Sequence, residues 1–185
     1  GSSAASDVYK RQAGDKPKGI GISWFSKSRN KTLPAVEDRA SVLKNIRQPL
    51  QSLQYLGKPA RIRALRELSA QRIRSSQPID QMLDLDGFAA QVAGVRGVLT
   101  ISNTTAHLAG ALGVPCVVIL DNGSITNWPD HGDTTPLYPS IRLIRRGSDN
   151  WATTLRHGWR TLRSLISPQE EISMQSSSIK SSETA

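Results

Sequence analysis

The segment that most restricts the fold is residues 98–120, VLTISNTTAHLAGALGVPCVVIL. It opens on a continuous apolar run of the kind that a parallel strand buries on both faces. A tight polar turn follows at Ser102 and Asn103, then a helical stretch from Thr104 to Leu112. Gly113 suits a helix stop, and a second apolar run from Pro115 to Leu120 reads as the next buried strand. Strand, turn, helix and strand make one βαβ unit. Its right-handed crossover puts the turn at the carboxyl edge of the sheet, where open α/β sheets bind ligands.

The rest of the chain reads in the same alternating way. Residues 18–24 predict a strand, 37–46 a helix, 51–55 a short strand and 61–74 an amphipathic helix, with residues 77–82 ambiguous. Asp86 is the expected cap of a helix over 87–95. Residues 121–140 form a long irregular stretch, and 141–145 a last strand. Ser148 or Asp149 is expected to cap a final helix, with Trp151, Leu155, Trp159, Leu162 and Ile166 along its core face. The pattern predicts one α/β domain, a Rossmann-like parallel sheet with flanking helices. Neither an internal repeat nor a second domain is read.

The 185 residues, 37% hydrophobic, suffice for one domain with a core. The domain is expected over residues 17–166, after a leader at 1–14 and before a disordered tail at 167–185, which is rich in Ser and Gln. Within the leader, residues 7–12 (DVYKRQ) resemble a translated sequencing-library adapter, so a non-native start on a truncated gene is expected. Cys116 stands alone and in an apolar run, so it reads as a buried thiol. A lone cysteine fits a reducing compartment, and the expected location is cytoplasmic. Apolar runs are too short for a transmembrane segment.

A net charge of +9 calls for an anionic partner without naming it. A helix N-terminus at the 102–107 turn would bind phosphate through unpartnered amides and the helix dipole. Asn103, Thr104 and Thr105 would add donors without bulk, and His107 stands one turn in. An equally plain reading is that Ser102 or Asn103 caps the helix and His107 packs against the sheet. A serine-hydrolase reading lacks the Gly-x-Ser-x-Gly elbow. No metal is expected, because His107, His131 and His157 show no ligand spacing. Asp80, Asp84 and Asp86 read as a solvated loop and a cap. The arginines between Arg61 and Arg74 read as a solvated helix face with no nucleic acid bound, since no nucleic-acid fold signature accompanies them.

Residues 86–93 (DGFAAQVA), the ISNTTAHLAGALGVP segment, a Trp-containing loop and residues 136–143 (PLYPSIRL) together resemble a known family. It is the carboxy-terminal domain of bacterial glycosyltransferases that often follow tetratricopeptide repeats, similar to the ADP-heptose–lipopolysaccharide heptosyltransferases. The resemblance spans roughly Gly19 to Ile166. It implies the second half of a GT-B fold, binding a nucleotide-sugar donor and, with an amino-terminal domain missing here, a glycan or protein acceptor. Carried over, Asn103, Thr104 and Thr105 would meet the diphosphate, supported by His107. Ser23 and Lys27 would approach the phosphates, and Trp128 would cover the sugar or base. The general base would come from the amino-terminal domain, so no catalytic residue is assigned and the fragment alone is expected to be inactive. Ser102 stands where many relatives have Asp, and Leu137 where many have Trp. A non-catalytic nucleotide-binding or scaffold module, half of a sugar-nucleotide epimerase, and a basic nucleic-acid-binding domain are the competing readings.

Overall fold

The computed structural model describes residues 18–26, 31–53, 59–75, 81, 83–121 and 127–182. The strands are β1 (Ile20–Ser23), β2 (Leu50–Ser52), β3 (Ile73–Ser75), β4 (Gly97–Ile101), β5 (Cys116–Leu120) and β6 (Ile141–Arg145). The helices are α1 (Val36–Leu43), α2 (Pro59–Ser69), α3 (Leu85–Ala93), α4 (Thr104–Ala111) and α5 (Trp151–Ser182). All strand pairs are parallel, in the order β3-β2-β1-β4-β5-β6. The Rossmann-like sheet with flanking helices is therefore what the strand–helix alternation predicted. The order reverses between β1 and β4, and a ligand crevice opens outside the carboxyl ends of two such strands.

Two apolar layers sandwich the sheet. Ile20, Ile22 and Trp24 of the β1 segment join Leu43 and Ile46 near α1 and Leu155, Leu162 and Ile166 of α5 on one face. Phe88 and Val92 of α3, Ala106 and Ala109 of α4, and Val98, Cys116 and Val118 form the other. Alternate strand residues point to opposite faces, so every position of β4 and β5 is buried, as their continuous apolar sequence requires. Gly158 lets α5 lie close on the sheet: a Cβ there would come 2.8 Å from Ile119 Cδ1. Gly113 ends α4 with φ +69°, a conformation that costs a residue bearing Cβ about 1 kcal/mol.

Four local expectations are corrected. The helix expected over 61–74 ends at Ser69, and Ala70 turns left-handed with φ 51°. The chain is then fastened by Gln71, whose Nε2 donates to the carbonyls of Leu43 (2.9 Å) and Ile46. That leaves residues 73–75 free to pair with β2 as β3, a strand the arginine-rich pattern concealed. The strand expected at 51–55 is β2, shorter and starting at Leu50. The cap of α3 is Asp84, which accepts from Gly87 N at 2.7 Å, rather than Asp86. Asn150 caps α5 through Thr153 N at 2.8 Å, in place of Ser148 or Asp149. The helical span of α5 runs from Trp151 to Ser182, and its buried side chains among those described lie between Trp151 and Ile166.

Candidate functional site

The carboxyl ends of β1 and β4 meet at the switch point. Ser23 closes β1, while Ser102 and Asn103 follow β4 and lead into α4. Asn103 does the joining. Its Oδ1 caps α4 by accepting from Ala106 N at 3.3 Å. Its Nδ2 donates to Ser23 Oγ (3.0 Å) and to the carbonyls of Ser23 (3.3 Å) and Phe25 (3.2 Å). Thr100 Oγ1 also reaches the Ser23 carbonyl, at 2.6 Å. Thr105 Oγ1 lies 3.0 Å from Ser23 Oγ, and both side chains are buried. The plain capping reading of Asn103 thus holds, and Ser23, Asn103 and Thr105 are engaged with one another beneath the turn.

Thr104 is different. It is the first residue of α4 and its side chain is exposed. Ahead of Ala106, whose amide Asn103 caps, the amides of Thr104 and Thr105 precede the helix's own acceptors, so this end carries partial positive charge at the rim of the crevice. Lys31 adds a full charge there, donating from Nζ to the Ser102 carbonyl at 2.5 Å. Burial lowers its pKa from the ordinary 10.5. The loop backbone behind it is held by Thr32 N donating to Asp121 Oδ2 at 3.2 Å. Asp121 is itself paired with Arg146 at 2.8 Å. Lys27 lies outside the described residues; Lys31, from the same basic loop, is the cation seen at the turn. Sequence reasoning missed it because three cations within five residues carry no mark of which one folds inward.

His107, one turn along α4, stacks on the Trp128 ring with centroids 4.8 Å apart and planes 9° from parallel. Its Nδ1 lies 3.4 Å from Tyr138 Oη. Burial first, and the Lys31 charge second, push the His107 pKa below its ordinary 6.5. The ring is therefore neutral at neutral pH and offers one N–H and one lone pair. Trp128 is 4% exposed and donates from Nε1 to Ser102 Oγ at 2.9 Å. It backs His107 from inside the loop rather than offering an open face for a base. Arg145 braces the same loop through the carbonyls of Gly132 and Pro129. Leu137, where many members of the resembled family have Trp, is exposed beside this cluster.

Elsewhere the residues singled out have structural roles. Cys116 is fully buried, and burial pushes its thiol pKa up. Trp151 and Trp159 belong to the core. Asp80 lies outside the described residues, and among those described no group of three His, Cys, Asp or Glu gathers as a metal set. No helix is long and apolar enough to cross a membrane, among the described residues.

No protein-family model and no curated protein sequence matches the chain. Solved structures do match. Heptosyltransferase WaaC from E. coli with ADP-2-deoxy-2-fluoro heptose aligns at TM-score 0.59 and 14% identity, over 87% of this chain and 47% of that one. The same enzyme with ADP aligns at TM-score 0.56 and 15% identity, over 82% and 45%. A family 9 glycosyl transferase from Veillonella parvula aligns at TM-score 0.53 and 11% identity, over 87% and 50%. The chain spans about half the length of these structures. At such identities the likeness is one of architecture: this chain has the Rossmann-like α/β fold found in these glycosyltransferases.

Proposed function

We propose that this chain is the donor-binding half of a GT-B glycosyltransferase, and that the Ser102–His107 turn holds the diphosphate of a nucleotide sugar. One observation carries the reading. An exposed helix start at Thr104 and the ammonium of Lys31 converge at the β1–β4 switch point. Both favour an anion, and neither needs a metal. Ser23, Asn103 and Thr105 hold the turn in shape from below, while Thr104 and the first amides of α4 meet the phosphates. Neutral His107 donates or accepts one hydrogen bond at the rim.

In transfer, an acceptor hydroxyl attacks the anomeric carbon and the nucleoside diphosphate departs. Negative charge grows on the leaving group, where α4 and Lys31 stabilise it. The proton passes to a general base, which we assign to the facing amino-terminal half of the complete protein. A second reading has its own observation. Ser102, where relatives carry Asp, is buried and spends its hydroxyl on Trp128. That favours a module that binds nucleotide without transferring sugar.

Calorimetric titration with a panel of nucleoside diphosphates tests binding, and Thr104→Glu is the informative variant. A carboxylate at the first helical position suits the dipole, adding about 0.3–1 kcal/mol of stability, yet repels phosphate. The outcome expected is a more stable protein with at least tenfold weaker nucleotide binding, on the order of the 1.4 kcal/mol that a tenfold change represents. Unchanged affinity sinks the assignment of the turn. Nucleotide binding by the complete protein, without sugar transfer to any acceptor tried, selects the second reading.

A further inference from the structure

Beside the switch point, on the α1 and α2 side of the sheet, lies a second cavity of about 220 Å³. Trp24 and Phe25, which continue β1, form one wall; Leu33, Arg39, Arg61 and Leu65 are among the others. Trp24 is 1% exposed, and its Nε1 has no hydrogen-bond partner among the described residues. Arg39 is 7% exposed. Its Nε donates to the Ala35 carbonyl at 3.3 Å, and its guanidinium carbon lies 5.7 Å from the Trp24 ring centroid. Neither Arg39 nor Arg61 makes an ion pair among the described residues. Burial is the main cause that lowers the Arg39 pKa; the Arg61 charge adds to it, and Glu37 opposes it more weakly.

A buried guanidinium that no ion pair among the described residues neutralises costs free energy, and the Glu37 charge offsets only part of it. Arg39 and the exposed Arg61 line one cavity, so one anionic ligand can meet both charges. We propose that this cavity binds a small molecule carrying a carboxylate or phosphate group, its oxyanion held by Arg39 and Arg61 beside the Trp24 ring. At roughly 30 Å³ per water the cavity holds about seven waters. That exceeds an inorganic ion and suits an oxyanion on a body of monosaccharide size, against the apolar wall of Leu33 and Leu65. The site is separate from the diphosphate turn: Trp24 packs in the layer with α1 and α5, whereas Ser23 turns to Thr105 of α4. The inference does not rest on the donor-binding reading.

The test follows the Trp24 indole ¹H–¹⁵N signal of the 185-residue chain, assigned by its loss in Trp24→Phe. Glucose 6-phosphate and glucuronate are titrated separately at constant ionic strength. At least one is expected to move that signal saturably; which one identifies the oxyanion. Arg61 is exposed, so Arg61→Gln should keep the fold and weaken binding about tenfold or more, the loss of one charge-assisted hydrogen bond. Thr104→Glu should leave it unchanged. The proposal is overturned if neither compound shifts the signal saturably, if Arg61→Gln binds as tightly as the parent, or if Thr104→Glu abolishes the response.

Discussion

At the scale of single residues, the turn separates side chains that hold it together from one left exposed. Ser23 and Thr105 were expected at the diphosphate, and both hydroxyls are buried against each other. Thr104, identical in chemistry, is exposed because it falls one position earlier on α4. The tandem threonines were legible in the sequence; which of them faces inward depends on the phase of the helix against β1, and no local pattern encodes it. The inward fold of Lys31 was likewise invisible, since it depends on the Ser102 carbonyl 71 positions away. His107 yields a prediction in pH. Its folded pKa is depressed by burial and by Lys31, so the unfolded chain takes up the proton more readily. The stability due to the neutral ring is fully present above about 6.5 and is lost as pH falls from there through the depressed folded value. Urea denaturation from about pH 7 to about pH 5 should show this decline, and His107→Gln should flatten it. A decline unchanged in His107→Gln would assign it to other groups.

At the scale of elements, the βαβ unit was the most legible part, because buried parallel strands and a glycine-stopped helix each leave a periodic signature. β3 left none: three residues with Arg72 before them and Arg74 among them carry too little periodicity, and the strand forms because Gln71 anchors its approach to the end of α1. Asn103 is the residue on which two elements depend, capping α4 through Oδ1 and tying it to β1 through Nδ2. Asn103→Ala removes both functions and should cost about 2 kcal/mol or more, a cap plus a buried hydrogen bond. Asn103→Asp preserves the cap but turns a carboxylate toward the Ser23 and Phe25 carbonyls. It should therefore also destabilise, in contrast to the usual near-equivalence of Asn and Asp at a cap. Thermal or chemical denaturation of the pair decides this: a neutral Asn103→Asp would mean that the link to β1 contributes little.

At the scale of the molecule, the order β3-β2-β1-β4-β5-β6 turns a basic, otherwise uninformative composition into a specific location. Two cationic regions flank the carboxyl end of β1. Lys31 and the start of α4 lie on one side, and Arg39 with Arg61 on the other. Sequence alone fixed the class of sheet and the turn at its edge, but not the second region, whose parts come from β1, α1 and α2. The central claim is that the turn binds the diphosphate of a nucleotide. Backbone ¹H–¹⁵N mapping of the chain during titration with ADP, UDP and GDP tests it most directly. The largest saturable shifts are expected at the amides of Thr104 and Thr105 for at least one nucleotide, and they should vanish in Thr104→Glu. Saturable shifts centred elsewhere, or no response to any of the three, would contradict the account.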